Sequence, residues 1–316
     1  MRPARWWAGL AGAVLVAVAA GASALGLLGA VWAWPDALNH FIPVWLCLAW
    51  IGGLVARFSW PPGPRRGWVV IAAALTVLIA GAPIAIEVAS GAREAVPGPP
   101  TLTLLTFNRW WETPDSAREA QAIRTSGADL VAIQEGNGFA AAAMNLRDVY
   151  PYQLLCGGRC DTMILSRLPF LATGREARGG PWRPGGTDLI WARVMAPDGR
   201  PMTLATVHLY WPIPPWIQRN QRARVAADVA ALPRDELILT GDFNLSPWSF
   251  TLRSLDKALA PLTRRTHGLL TFPATWPLPF LALDEVFAAP AWRTVSVSKL
   301  PRAGSDHYPV LVELKR

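Results

Sequence analysis

Short apolar runs in this chain repeatedly end, or begin, at a polar side chain able to do chemistry. Asn108 follows Leu-Leu-Thr-Phe, Glu135 follows Leu-Val-Ala-Ile-Gln, His208 follows Leu-Ala-Thr-Val, Asp242 and Asn244 follow Leu-Ile-Leu-Thr-Gly, Asp284 follows Leu-Ala-Leu, and Asp306-His307 precede Tyr-Pro-Val-Leu-Val. Carboxylate and amide oxygens bind hard divalent cations, and an imidazole beside a carboxylate is a common general acid–base arrangement. Asp and Asn also open turns, so each residue alone says little. Together they point to one rim, because a strand delivers its last side chain to the edge of its sheet.

The elements that must hold them read as an α/β domain starting at Thr101. Strands are expected at Leu102 to Phe107, Leu130 to Gln134, Thr162 to Ser166, Leu189 to Val194, Thr203 to His208, Leu237 to Thr240, Asp284 to Phe287 and Val310 to Leu314, as short apolar and β-branched runs between turn residues. Helices fit Ser116 to Ser126, Gly138 to Leu146, Pro215 to Leu232 and Trp248 to Leu259. Pro215 and Pro247 suit helix starts, where a missing N–H costs nothing. Residues 87–100, rich in Gly, Pro and Ala, read as a linker.

The composition sets the first part of the chain apart. Of 316 residues, 52% are apolar and only 16% charged, against about 25% charged in soluble domains. Three uncharged apolar stretches, about 8–34, 41–56 and 68–86, come near or exceed the roughly 20 residues that cross a bilayer. The first follows Arg2 and Arg5 and contains Ala22-Ser23-Ala24, as a cleaved signal would, but it is far longer than a signal's apolar core and reads as a retained helix. Arg2 and Arg5, and then Arg57, Arg65 and Arg66 between the second and third stretches, mark cytoplasmic ends, while the first loop carries Asp36 and no Lys or Arg. Three crossings then leave the N-terminus cytoplasmic and everything after residue 86 periplasmic or extracellular. The formal net charge of +8 is a mild bias toward anionic partners, with no basic block typical of a nucleic-acid stripe. Cys156 and Cys160, in Cys-Gly-Gly-Arg-Cys, are close enough to form a disulfide in an oxidising compartment.

The motifs Leu-Thr-Phe-Asn108, Asp129-Leu-Val-Ala-Ile-Gln-Glu135, Ile164-Leu-Ser-Arg-Leu-Pro169, Thr206-Val-His208-Leu, Gly241-Asp242-Phe-Asn244, Leu283-Asp284-Glu-Val-Phe and Ser305-Asp306-His307-Tyr-Pro resemble, in family order, the endonuclease/exonuclease/phosphatase superfamily. Gly-Asp-Phe-Asn and Ser-Asp-His are the specific elements, and the resemblance covers nearly all of residues 101–316. It implies a four-layer α/β sandwich, two packed mixed sheets flanked by helices, here preceded by three transmembrane helices. It further implies that Glu135, helped by Asn108 and Asp306, holds Mg²⁺, with Mn²⁺ as a substitute. Asp242 orients or deprotonates the attacking water and Asn244 holds a phosphate oxygen. His307, aligned by Asp284, donates to the phosphate or pairs with the nucleophile, and His208 stabilises phosphoryl charge or protonates the leaving oxygen. One departure is Glu285, where the family commonly places a non-acidic residue. On a strand it faces away from Asp284, so Asp284 keeps its expected role.

The expected activity is metal-dependent hydrolysis of a phosphodiester, in nucleic acid or a lipid headgroup, by a domain tethered to the bilayer. A phosphomonoesterase acting on a soluble ester and a non-catalytic binding module are the alternatives, and no particular protein partner is indicated. Trp110 and Trp111, after the first motif, and Trp211 and Trp216, after His208, mark loops that could meet substrate by stacking on bases or by resting at a membrane interface.

Overall fold

Backbone in hydrocarbon has no water to bond to, so apolar stretches of this length are expected to be helical. The computed structural model describes residues 3–113, 115–155, 161–177 and 186–316, and all three stretches are helical in it. Helix α1 runs Pro3–Leu27, a single turn α2 Ala33–Asp36, α3 Ile42–Ser59 and α4 Pro64–Glu94. Three segments are long and apolar enough to cross a membrane: Pro3–Ala30, Ala33–Ser59 and Pro64–Glu94. The second is longer than its uncharged stretch suggested, because the turns around Asp36 run on into α3. The third continues as helix to Glu94, so the first half of residues 87–100 is helical and not linker. The Cys156–Cys160 pair falls outside the described residues.

The chain divides into two compact units, one comprising Met1–Ala89 with Ser246–Leu252, the other Ser90–Leu245 with Arg253–Arg316. Within the first, α1 and α3 cross at Gly12 and Gly52. A Cβ on either would lie 2.6 Å from the other's carbonyl oxygen, the close approach that small residues permit between membrane helices. The same unit contains a buried polar clasp. His40 Nδ1 accepts from the Ser246 N–H at 3.1 Å, and the indole of Trp248 donates to the His40 carbonyl at 3.2 Å. Asp36 accepts from the backbone N–H groups of Phe250 (2.9 Å) and Thr251 (2.8 Å), and Asn39 donates to it at 2.7 Å. A helix begins at Phe250, and the first N–H groups of a helix have no partner within it. Asp36 fills that need from a distant part of the sequence.

The second unit holds two six-stranded mixed sheets. One has the order β11-β12-β1-β2-β4-β3 and the other β5-β6-β7-β8-β10-β9. The strands are β1 Leu102–Asn108, β2 Leu130–Gln134, β3 Tyr152–Leu154, β4 Met163–Ser166, β5 Phe170–Ala177, β6 Asp188–Met195, β7 Pro201–His208, β8 Leu237–Asp242, β9 Thr263–Arg264, β10 Asp284–Ala288, β11 Arg293–Lys299 and β12 Val310–Lys315. Helices α5 Ser116–Thr125, α6 Ala140–Met144, α7 Pro215–Ala231 and α8 Phe250–Ala258 complete the element list. The eight expected strands are all present. The four not foreseen, β3, β5, β9 and β11, are the edges of the two sheets. An edge strand lacks the continuous apolar run of a strand covered on both faces.

Each sheet has one parallel pair at its centre, β1 with β2 and β7 with β8. Parallel neighbours end on the same side, which is what brings Asn108 beside Gln134 and His208 beside Asp242 in register. Strand β10 runs antiparallel to β8 and begins where β8 ends, placing Asp284 opposite Asp242. The two sheets meet face to face, and Gln134 Nε2 donates across the gap to Thr206 Oγ1 at 2.9 Å. Beneath the first sheet Leu105, Phe107, Val131, Ile133, Phe139 and Leu165 are fully buried. Each such side chain contributes about 1.5–3 kcal/mol of burial.

Candidate active site

The rim where these strands end gathers the polar residues singled out above. Asn108, at the end of β1, donates its amide to Glu135 Oε1 at 3.0 Å and, across the sheets, to Asp242 Oδ2 at 2.9 Å. Its own Oδ1 accepts from the Trp110 N–H at 3.0 Å, and Glu135 Oε2 accepts from the Trp111 N–H at 2.9 Å. Asp242 Oδ1 accepts from the Asn244 N–H at 2.8 Å, while the Asn244 amide donates to the Leu209 carbonyl at 2.9 Å and lies 3.3 Å from His208 Nε2. Gly241 explains why this loop needs a glycine: at φ +149° a Cβ would fall 1.8 Å from the Val207 carbonyl oxygen, leaving no room for a side chain. Among the described residues only Trp110, Glu135 and Asn244 are non-glycine residues with positive φ, at +55°, +55° and +50°, and all three belong to this rim. Strained backbone of this kind gathers where a site must hold side chains in set directions.

Two imidazoles flank Asp242. His307 Nδ1 lies 2.9 Å from Asp284 Oδ2, and His208 Nδ1 lies 2.5 Å from Asp161 Oδ2. Each presents Nε2 to Asp242 Oδ2 at 3.6 Å. Burial pulls the His208 pKa down, but Asp161, Asp242 and Glu135 outweigh it and raise it to about 10. Burial acts the same way on His307, and Asp284, Asp242 and Asp306 raise it to about 10. With their pKa values raised this far, both rings are imidazolium hydrogen-bond donors at neutral pH. Asp242 moves up to about 6, because burial of its carboxylate exceeds the pull of the two imidazolium rings.

Asp161 was not foreseen, and neither was Asp188, which holds it by accepting from the backbone N–H groups of Asp161 and, at 3.0 Å, Thr162. The signal was present, since Asp161 stands just before the apolar run of β4 as Asp306 stands just before that of β12. Ser305 is a third addition. Its hydroxyl donates to the Asn108 carbonyl at 2.7 Å and accepts from the His307 N–H at 2.9 Å, tying the Ser-Asp-His loop to β1. Glu285 is buried on the opposite face of β10 and accepts from the Thr266 hydroxyl, so Asp284 alone of that pair serves the rim. Phe272 packs on the His307 ring (4.9 Å between centroids) and Trp211 on Phe272 (6.1 Å). Trp111, Trp211 and Trp216 are exposed and Trp110 is half-buried.

Among the described residues no group of three or more His, Cys, Asp or Glu side chains is placed to hold a metal ion by itself. The donor set fits a cation that keeps much of its water. Glu135 and Asp306 are close enough that Glu135, after burial, helps to raise the Asp306 carboxyl pKa, and two hard carboxylates in mutual repulsion are what a hydrated Mg²⁺ or Mn²⁺ relieves. Asn108 stands beside them with its amide nitrogen on Glu135 and its oxygen on the Trp110 N–H, and would offer that oxygen to a cation with the amide turned over.

Two mixed sheets packed face to face and flanked by helices, with carboxylates and imidazoles converging on one rim, define the class of four-layer α/β sandwiches. The chain matches the endonuclease/exonuclease/phosphatase family over residues 105–307 and belongs to it. Solved structures show the same fold. An endonuclease/exonuclease/phosphatase from Beutenbergia cavernae is 21% identical, with a TM-score of 0.56 over 68% of this chain and 71% of that one. D. rerio TDP2, complexed with a single-strand DNA product, is 19% identical with a TM-score of 0.54 over 68% and 99%. The mannosyl-6-phosphatase Bt3783 of Bacteroides thetaiotaomicron is 20% identical with a TM-score of 0.52 over 68% and 100%. No curated protein matches the sequence at a significant level.

Proposed function

We propose that this protein is a membrane-anchored, divalent-metal-dependent phosphodiesterase whose catalytic rim faces away from the cytoplasm. The observation that carries the reading is the convergence of two His–Asp pairs, His208–Asp161 and His307–Asp284, on the single carboxylate of Asp242, opposite Glu135 and Asn108. A divalent cation held by Glu135, Asp306 and Asn108 would supply Lewis-acid stabilisation of charge on the phosphoryl oxygens.

The protein's own groups do the rest. Asp242, its pKa drawn toward neutrality, takes the proton of the attacking water, since a base works best with a pKa near the working pH. Asn244, fixed by its bond to the Leu209 carbonyl, keeps that water in line and contacts a non-bridging oxygen. His208 and His307, each locked through Nδ1 to a carboxylate, point Nε2–H at the phosphoryl group, where preorganised donors stabilise the developing charge. One of them passes its proton to the leaving oxygen.

The membrane setting rests on the three apolar helices and on charge. Arg57, Arg65 and Arg66 lie at the opposite end of α3 from Asp36. The clasp is in keeping with the same topology, because Ser246–Thr251 bond to the turns around Asp36 and His40, at the start of the second apolar segment. Exposed Trp111, Trp211, Trp216 and Trp276 suit a substrate with an aromatic or interfacial part, a nucleic-acid strand or a lipid headgroup. The full chain in detergent micelles or nanodiscs, assayed with bis-p-nitrophenyl phosphate and p-nitrophenyl phosphate in Mn²⁺ and Mg²⁺, tests the reaction. Diester turnover that is lost in chelator and in Asp242→Ala supports it, and turnover of the monoester alone refutes the diesterase.

A further inference from the structure

Arg109 directly follows Asn108 and has no assigned part in the site, yet it is 2% exposed. Its guanidinium is bonded on several edges. Nε donates to Glu119 Oε2 at 2.8 Å, Nη1 donates to the carbonyls of Glu135 (3.2 Å) and Asn137 (3.1 Å), and Nη2 lies 3.4 Å from Ser116 Oγ. Its backbone N–H donates to the Gln134 carbonyl at 3.2 Å. The ring of Phe139 lies 5.2 Å from its charged centre. Glu119, on α5, is fully buried and is the ion-pair partner.

We infer that Arg109, braced by Glu119, is a positioning residue that aims the Glu135 carboxylate at the cation. The inference rests on the reading of Glu135 and Asn108 as cation ligands. Glu135 sits at φ +55°, a conformation that is unfavourable for a side-chain-bearing residue and persists only where its surroundings over-determine it. The bonds from Arg109 to the carbonyls of residues 134, 135 and 137 are that determination. They fix the peptide planes on both sides of the Glu135 Cα, and hence the direction of its Cβ. Buried arginine is costly unless paired and fully bonded, so Glu119 is what allows the guanidinium to stand beneath the site. The planar fork is essential. Lysine would keep the charge, but a single ammonium cannot hold Glu119 and both carbonyls in fixed directions.

The test is Mn²⁺ binding to the detergent-solubilised full chain, read from the electron paramagnetic resonance signal of free Mn²⁺, with turnover of bis-p-nitrophenyl phosphate in parallel and thermal unfolding in chelator as the check of folding. Arg109→Lys is expected to bind Mn²⁺ about 10- to 100-fold more weakly than the unaltered chain, the range lost when a ligand's supporting partner is removed, and to lower kcat while leaving KM at saturating Mn²⁺ within about twofold. If Arg109→Lys does not fold, Glu119→Ala carries the test, since it unhooks Nε and leaves Arg109 in place, with the same loss expected. A folded variant that binds Mn²⁺ as the unaltered chain does overturns the positioning role. Failure of the unaltered chain itself to bind Mn²⁺ overturns the ligand reading instead.

Discussion

Replacing Asp242 with asparagine separates catalysis from stability at one buried position. Asp242 is 1% exposed, and its Oδ1 accepts from the Asn244 N–H at 2.8 Å while Oδ2 accepts from the Asn108 amide at 2.9 Å and faces both imidazole Nε2 atoms at 3.6 Å. Asparagine keeps the first acceptor. At the Oδ2 position it places an NH₂ group against four donors, the amides of Asn108 and Asn244 and the two imidazoles, so it can take no proton from water and loses two hydrogen bonds. A missing general base costs about 10²- to 10⁴-fold in rate, or about 3–5.5 kcal/mol of barrier. The effect on folding runs the other way. Burial raises the carboxyl pKa, which means that the ionised form is disfavoured in the folded state, and a neutral amide relieves that while giving up about 1 kcal/mol for each of the two hydrogen bonds lost. Diester hydrolysis by Asp242→Asn should therefore fall by at least about 10²-fold, with Mn²⁺ binding retained and a thermal unfolding midpoint in chelator no more than a few degrees below that of the unaltered chain. Activity above a tenth of the original would remove Asp242 from the base role. A large drop in the unfolding midpoint would show that its place is structural.

Asp161→Asn tests the pair that the sequence did not disclose: without the carboxylate on Nδ1 the His208 ring loses its fixed orientation and the largest of the charges that raise its pKa, and kcat should fall about 10- to 100-fold with Mn²⁺ affinity little changed, whereas unaltered kcat would reduce Asp161 to packing. Asp36→Ala opens the clasp by leaving the Phe250 and Thr251 N–H groups without their acceptor, which should destabilise the full chain by about 2–4 kcal/mol in denaturant unfolding followed by tryptophan fluorescence, and an unchanged midpoint would contradict it. Glu119 gives a pH signature, because burial raises its pKa from 4.5 to about 7. A carboxyl with a raised folded-state pKa withdraws stability as pH climbs from its unfolded value through its folded one. Unfolding midpoints should decline from about pH 4.5 to 7 more steeply than in Glu119→Gln, and parallel profiles would refute the shift.

The sequence by itself determined the central strands, the apolar helices and the residue types of the rim. Those features are local. A strand buried on both faces must be a nearly continuous apolar run, as Leu130–Ile133 is, and a helix able to cross a bilayer must be long and uncharged, as residues 68–86 are. The Gly-Asp-Phe-Asn motif could be recognised by its resemblance to the family's pattern, and the structure adds why it holds a glycine, since a Cβ at Gly241 would meet the Val207 carbonyl oxygen. The four edge strands were not legible, since one covered face leaves room for Arg175, Glu176 or Lys299 in a strand. Long-range pairing was not legible either. Nothing in residue spacing joins Asp161 to His208, Arg109 to Glu119 and the Glu135 carbonyl, or Asp36 to Phe250 and Thr251, because each pair is brought together by elements that meet only after the chain has folded. The resemblance implied Asp284 for His307, but tertiary structure decided that Asp161 serves His208, and so which groups carry charge at the rim. Burial and proximity set those charges, and neither quantity exists until the sheets are packed.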